Sequence, residues 1–378
     1  MNKKQTLKQI WQYALAKVNG ETLVKEYLHK NPQQGEIYLI AIGKAAAFMA
    51  KAAHELLHST IVSGIVITKY HHSLNLPYQT IETGHPIPDE NSLKAGRQLL
   101  KFIQLIPDTA KVLFLLSGGA SALVEVLPEH LSLNDIKEIN KRLLSEPLAI
   151  DEINKIRQKN SLIKGGKLLN YFKNQAILEL IISDVPNNNL RYIGSGLLHP
   201  TEKKSMGNQA VKSIILASIK TAMTAAKDKA QQLGYEVFMQ ESIFQGDAQM
   251  LAQKFAHIML QGPKGIYIWG GESTVHLPEN PGAGGRNQHL ALAAAKSLNS
   301  HPNIALIALG TDGTDGPSIY AGAYVDGLTI EQGCAMQLEP DDYLEQANSG
   351  TYLEIMQNLI KTGATGSNVM DLVIGISL

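Results

Sequence analysis

Apolar positions along the chain recur with two different periods. Leu7, Ile10, Trp11, Ala14, Leu15 and Val18 stand at helical spacing with Lys8, Gln12 and Lys17 between them, so the chain opens on an amphipathic helix. Continuous apolar runs then alternate with helical patterns. Residues 37–42 read as a buried strand leading into Gly43-Lys44-Ala45 and an Ala-rich helix over 44–58. Residues 61–68 are the next strand, 92–106 a helix, and 111–116 a short apolar strand ending at Ser117-Gly118-Gly119. Ser132 precedes another helical pattern, with Asp135 as a capping partner, and 177–183 is a further buried strand. Strand, glycine turn, helix, strand is the grammar of a parallel sheet covered on both faces.

The second half predicts a mostly helical stretch over 207–233, a strand at 235–239, a helix over 247–260 and a strand at 266–269. A glycine turn at 282–285 opens a helix over 287–297, and a strand at 304–309 runs into Gly310-Thr311-Asp312-Gly313-Thr314-Asp315-Gly316. The last apolar run, 372–376, is a strand that could return to either sheet. The change of domain falls between 200 and 265, drawn as domains 1–235 and 236–378, with no Pro- or Ser-rich linker and no repeat.

Length and composition agree with this picture. At about 150 residues per domain, 378 residues suggest two domains, and 44% apolar residues suffice for a sizeable core. Lys plus Arg and Asp plus Glu are 34 each, so no net charge announces a nucleic-acid partner. No apolar run approaches the roughly 18 residues of a membrane span, and the N-terminal helix lacks the apolar block of a secretion signal. The single cysteine, Cys334, cannot form an internal disulfide, which fits the cytoplasm. The histidines are scattered without metal-ligand spacing.

In an open parallel sheet, ligands bind outside the carboxyl ends of the strands, and the notable residues cluster at such ends. Lys44 stands at a helix start, where the helix dipole disfavours a cation and an anion such as phosphate would relieve the conflict. Its plain alternative is a solvated surface lysine. Ser117-Gly118-Gly119-Ala120-Ser121 could bring backbone amides and hydroxyls to an anion, or be an ordinary tight turn. Asp184 ends a strand, where it suits magnesium binding or proton abstraction, or caps a turn. Gly284 and Gly285 precede Arg286, whose fork could clamp phosphate oxygens, while Asn287 could cap the helix. Asp312 and Asp315 could share a cation such as magnesium, or make the side-chain bonds of a turn.

In this order, AIGKAA (41–46), TGHPIPDENSLKAG (83–96), LSGGASAL (116–123), EINKIRQKNSLIKGGKL (152–168), LIISDVP (180–186), WGGESTV (269–275), GAGGRNQ (282–288), LGTDGTDGP (309–317) and TGATGSNVMDL (362–372) resemble the type II glycerate kinase, or MOFRL, family. The resemblance runs along nearly the whole chain. It implies an α/β fold of two domains: a Rossmann-like, largely parallel N-terminal sheet and a smaller mixed C-terminal domain, with the active site in a cleft between them. It implies ATP-dependent phosphorylation of glycerate, with Mg2+ and with Lys44 and Arg286 as the leading catalytic residues. The sequence departs from the family pattern at Asn187-Asn188, where Gly-Asp is usual, and at Leu197-Leu198 in the SGPT segment. It departs again at His289 for Glu and at Met370 for Asn.

The expected reaction is therefore transfer of the γ-phosphoryl group of MgATP to the 2-hydroxyl of D-glycerate. Asp184 serves as third catalytic residue, and Asp184 and Asp312 serve as metal ligands. Gly43, Ser117, Gly118, Gly119, Ala120, Ser121, Gly284, Gly285 and Asn287 are the expected ATP contacts. Glu272, Asp312 and Asp315 are the expected substrate contacts. The expected partners are ATP and glycerate, with no nucleic acid and no membrane, and a homodimer is left open. Two rival classes are a nicotinamide-dependent hydroxypyruvate reductase, for which no GxGxxG loop is found, and a non-catalytic sensor of sugar or triose phosphates.

Overall fold

The computed structural model describes residues 2–145, 150–200 and 210–378. By internal packing these residues form two compact units: residues 19–218 with 366–368, and residues 1–18 with 219–365 and 369–378.

Helix α1 (Lys3–Lys17) starts under an Asn2 cap and buries Leu7, Ile10, Trp11 and Ala14. It belongs to the unit built from the second half of the chain. The residue 19–218 unit begins with α2 (Gly20–Lys30), β1 (Ile37–Ile42), α3 (Ala46–Leu57), β2 (Ile61–Lys69), β3 (Gln79–Thr83) and α4 (Glu90–Leu105). It continues through β4 (Lys111–Ser117), α5 (Ala120–Leu123), α6 (Leu133–Ser145), α7 (Ile150–Lys159), β5 (Ala176–Ile182) and β6 (Val211–Ala217). Its six strands lie in the order β3-β2-β1-β4-β5-β6, every neighbouring pair parallel. Ile40 and Ile42, Ile65 and Ile67, and Phe114 and Leu116 alternate onto one face and pack with Leu99 and Ile103 of α4. The intervening Leu39, Ala41 and Leu115 are fully buried too. Both faces are covered, which is why these strands read as continuous apolar runs.

The other unit contains α8 (Ile219–Gln232), β7 (Val237–Met239), β8 (Phe244–Asp247), α9 (Ala248–Gln261), β9 (Gly265–Thr274), α10 (Arg286–Leu298) and β10 (Ile304–Gly310). Strands β11 (Gly322–Asp326), β12 (Leu359–Ile360) and β13 (Asp371–Ser377) complete a seven-stranded mixed sheet. Its order is β12-β11-β10-β13-β9-β7, with β8 paired to β9. The last strand lies in the middle, antiparallel to β10 and β9. Helices α9 and α10 cover one face through Phe255, Met259, Leu290 and Ala294, while α1 and α8 pack together and touch β13 and β9. Among the described residues no helix is long and apolar enough to cross a membrane.

One sequence expectation needs correction. The helical stretch over 207–233 is a strand followed by a helix: β6 pairs with β5 from Ile177↔Val211 onward, and α8 begins at Ile219. Residues 207–209 lie outside the described residues. Val211, Ile214 and Ile215 suit a strand edge, but partnership with a strand some thirty-five residues earlier is invisible to local periodicity. By packing, the change of unit falls after Ser218, within the 200–265 stretch, and α1 groups with the second-half unit. The physical reason is the shared burial of α1, α8, β9 and β13.

Candidate functional site

The order β3-β2-β1-β4-β5-β6 reverses direction between β1 and β4, and a parallel sheet offers its ligand crevice at the carboxyl ends of the strands beside such a reversal. Ile42 pairs with Leu116, so Gly43-Lys44 and Ser117-Gly118-Gly119 leave the sheet side by side at that point. Gly43 has φ +131, and a Cβ there would stand 2.2 Å from Ser117 Oγ. Only glycine permits this approach. The Lys44 amide donates to Gly118 O at 3.0 Å and the Ala45 amide to Ser117 Oγ at 3.0 Å. His72 Nδ1 lies 3.1 Å from Lys44 O. Gly119, at φ +86, turns its α-carbon toward His85 and the Lys44 side chain: a Cβ there would lie 3.1 Å from His85 Cδ2 and 3.2 Å from Lys44 Cε.

Asp184 follows β5 and crosses over Gly118, where a Cβ would stand 1.8 Å from Asp184 Oδ2 and 2.1 Å from Asn368 Nδ2. Asn368 donates to Asp184 Oδ2 at 3.3 Å. Gly43, Lys44, Ser117, Gly118, Gly119 and Asp184 are thus gathered at one sheet edge. Ala120 and Ser121 form the first turn of α5 beside them, Ala120 buried and Ser121 half-buried.

In the mixed-sheet unit the predicted residues gather around the start of α10. Gly284, at φ +141, and Gly285 lead into Arg286. A Cβ on Gly285 would stand 2.4 Å from Asp315 Cγ. Asp315 is buried and accepts from the amides of Asn287 at 3.0 Å and Gln288 at 2.8 Å, and from Asn287 Nδ2 at 3.3 Å. It therefore caps α10 from a distant loop, the role expected of Asn287. Burial pushes its carboxyl up to about 6, against the pull of those two amides. Asp312 accepts from the Thr314 amide at 3.0 Å and the Thr314 hydroxyl at 3.1 Å. Both acids of this loop make side-chain-to-backbone bonds of the cap and turn kind.

Arg286 donates from Nε to Asp371 Oδ2 at 2.7 Å and from Nη2 to Asp371 Oδ1 at 3.3 Å, and Nη1 pairs with Glu272. Burial acts to lower the guanidinium pKa, but Asp371 and then Glu272 outweigh it and hold the group well above its ordinary value. The Arg286 side chain nevertheless keeps 34% of its surface exposed, while Asp371 keeps 3%. Burial raises the Asp371 carboxyl, with Arg286 opposing. Asp371 was not among the residues singled out from the sequence. Its signal was its place at the head of the last apolar run.

Arg157, Lys164 and Glu125 also escaped the sequence reading. Lys164 and Glu125 form an ion pair with both side chains almost wholly buried. Arg157, on α7, lies within electrostatic reach of Glu125 and Asp184. The family departures fall mostly on packing. Leu197 and Leu198 lie in the hydrophobic core. Asn187 and Asn188 have φ +62 and +54, a region that Asn tolerates almost as Gly does. His289 is buried between Gln249 and Ser349, and burial lowers its pKa. Among the described residues no group of three or more His, Cys, Asp or Glu could hold a metal ion. A magnesium ion that arrives on a nucleotide needs only one or two protein carboxylates beside the phosphates, and Asp184 fits that requirement.

Residues 6–230 match a family described as a domain of unknown function, DUF4147, and residues 265–371 match the MOFRL family. The D-glycerate 2-kinase of Thermotoga maritima is 36% identical, over 93% of this chain and 93% of its own length. The glycerate 2-kinase of Pyrococcus horikoshii is 33% identical, over 91% of this chain and 88% of its own. Among solved structures, a glycerate kinase from Thermotoga maritima superposes with a TM-score of 0.85, covering 99% of both chains at 33% identity.

Proposed function

This chain belongs to the glycerate kinase family that pairs a DUF4147 domain with a MOFRL domain, and from that premise we propose that it transfers the γ-phosphoryl group of MgATP to the 2-hydroxyl of D-glycerate, giving 2-phosphoglycerate. The observation that carries the reading is 36% identity to a D-glycerate 2-kinase along almost the whole of both chains. The glycine-led turns that gather Lys44, Ser117, Gly118, Gly119 and Asp184 at the carboxyl edge of the parallel sheet support it.

Phosphoryl transfer is catalysed mainly by positioning and by neutralising charge on the transferring group. Lys44 and Arg286 supply that positive charge. The turn at Ser117, Gly118 and Gly119 receives phosphate oxygens. Asp184, held by Asn368 across Gly118, accepts the proton of the attacking hydroxyl or binds the magnesium ion, with Asp312 as the second candidate ligand. Magnesium, when bound, neutralises charge on the β- and γ-phosphate oxygens. Asp371 and Glu272 orient Arg286, and Asp315 holds the first turn of α10 in place. The reaction takes place in the cytoplasm, in keeping with a lone, unpaired Cys334.

Phosphorus NMR of the purified protein with MgATP and D-glycerate tests the proposal. A 2-phosphoglycerate resonance is expected. A 3-phosphoglycerate resonance overturns the regiochemistry alone, and absence of any phosphorylated product overturns the reaction. Oxidation of NADH on addition of hydroxypyruvate would put a reductase in its place.

A further inference from the structure

The start of α10 has a second side that the mechanism above does not use. Gly284, Gln288, Pro317, Ile319, Tyr320 and Leu359 line a cavity of about 300 Å³ beside the Gly284-Gly285 turn. Arg286 leaves that turn toward Glu272 and Asp371, while Gln288, two residues on, stands on the opposite side of the helix. The walls are mostly apolar, and folding leaves them uncovered. Ile319 keeps 59% of its surface exposed. Pro317 is exposed, and Tyr320 and Leu359 are half-buried. Gln288 and Glu354 bring polar groups to the lining. An apolar wall with a few fixed polar groups is the make-up of a small-molecule site.

The wall is fastened to the same elements that hold Arg286. The Ser318 amide donates to Asp315 O at 3.2 Å, and the Asp315 carboxylate caps α10. The Tyr320 hydroxyl donates to Glu354 Oε1 at 3.0 Å and its amide to Ser318 Oγ at 3.0 Å, which fixes the ring. The sheet sets the distance. Ile360, Gly322, Leu309 and Leu372 pair in one row across β12, β11, β10 and β13. Leu359 of the cavity and Asp371, the partner of Arg286, each adjoin that row, so they lie three strand spacings apart, about 14 Å across the sheet. An extended nucleoside triphosphate bridges a gap of that order, with its base at one end and its terminal phosphate at the other. Ligand pockets run from about 300 to 1,000 Å³, so this cavity has room for one ring system rather than a whole nucleotide.

We infer that this cavity receives the base of the nucleotide whose terminal phosphate meets Arg286. The base lies against the Tyr320 ring, with Pro317, Ile319 and Leu359 around its apolar edges. Stacking on an aromatic side chain suits any base, because every base has a π-face. The inference rests on the proposed kinase reading and adds what that reading lacks, a seat for the part of the donor that a phosphate clamp cannot hold.

The test compares the wild type with Tyr320→Ala and Ile319→Ser. Steady-state kinetics with MgATP and D-glycerate are measured alongside inhibition by adenosine, isothermal titration of ATP and adenosine, and thermal unfolding. Tyr320→Ala is expected to raise the KM for ATP by about tenfold or more, with kcat and the KM for glycerate within about twofold. Adenosine is expected to compete with ATP in the wild type and to lose about tenfold or more of its affinity in Tyr320→Ala. Ile319→Ser, at a position already exposed, is expected to shift both in the same direction by a smaller factor, and it decides the matter if Tyr320→Ala does not fold. Folded variants with the wild-type KM for ATP overturn the assignment. A rise in the KM for glycerate alone also overturns it and gives the cavity to the acceptor. Should the wild type show no turnover, the kinase reading fails by itself. The subsite is then judged by titration: ATP or adenosine binding that is weakened in the variants upholds it, and no binding of either to the wild type overturns it.

Discussion

Arg286 and Asp371 meet edge to edge, Nε 2.7 Å from Oδ2 and Nη2 3.3 Å from Oδ1, although they stand 85 residues apart. Asp371 heads β13 at the centre of the mixed sheet, and Arg286 opens α10, where the helix dipole disfavours a cation. The buried carboxylate offsets that penalty and fixes the plane of the guanidinium. Asp371→Asn keeps the shape and removes the charge. It is expected to lower kcat on the order of tenfold to a hundredfold through misplacement of Arg286, with a smaller effect on the KM for either substrate. Steady-state kinetics on a variant with native circular dichroism checks this.

Arg286→Lys tests the fork itself. A lysine retains the charge but cannot hold Asp371 and Glu272 in one plane. We expect kcat to fall by about a hundredfold or more, and Arg286→Ala to fall further. A lysine variant with wild-type kcat would remove the fork from the reaction, and an alanine variant with wild-type kcat would remove Arg286.

Gly118 leaves no room for a side chain, since a Cβ would stand 1.8 Å from Asp184 Oδ2 and 2.1 Å from Asn368 Nδ2. Gly118→Ala must displace one or both. Overpacking of this kind costs about 1–3 kcal/mol, to be read from chemical unfolding, and kcat should fall with the displacement of Asp184. Unchanged stability and turnover together would contradict the packing described for this turn.

Asp315 carries a pH dependence of known sign. Its folded-state carboxyl is pushed up to about 6 from an ordinary value of 3.8, with burial as the main cause. Between those two values the folded protein holds a proton that the unfolded chain has released. The associated stability is complete below about pH 4 and is lost as the pH rises through about 6, a total of about 3 kcal/mol. Urea unfolding of the wild type and Asp315→Asn across pH 4 to 7 should show the wild type losing that stability relative to the variant. A difference that stays level with pH would place the Asp315 titration in the ordinary carboxylate range.

Much of the fold was legible because its strands are local and covered on both faces. The runs ending at Gly43, Ser117, Asp184 and Gly310 stood out as apolar blocks stopped by small or acidic residues, and all four are strand ends. The glycines at 43 and 119 were visible as turn signals, and their positive φ values bear out that need. Residue type and spacing along a single element therefore determined where Lys44, Arg286 and the SGGAS turn would lie. Tertiary structure alone decided what depends on partners far along the chain. It made β6 a strand by pairing it with β5, placed α1 with the second-half unit, and put the final strand between β9 and β10. It also gave Asp315 the capping role expected of Asn287, joined Asp371 to Arg286, and left the buried edge of Arg157 beside the Lys164–Glu125 pair. Burial and the pairing of distant charges set these roles, and neither has a period that a sequence displays.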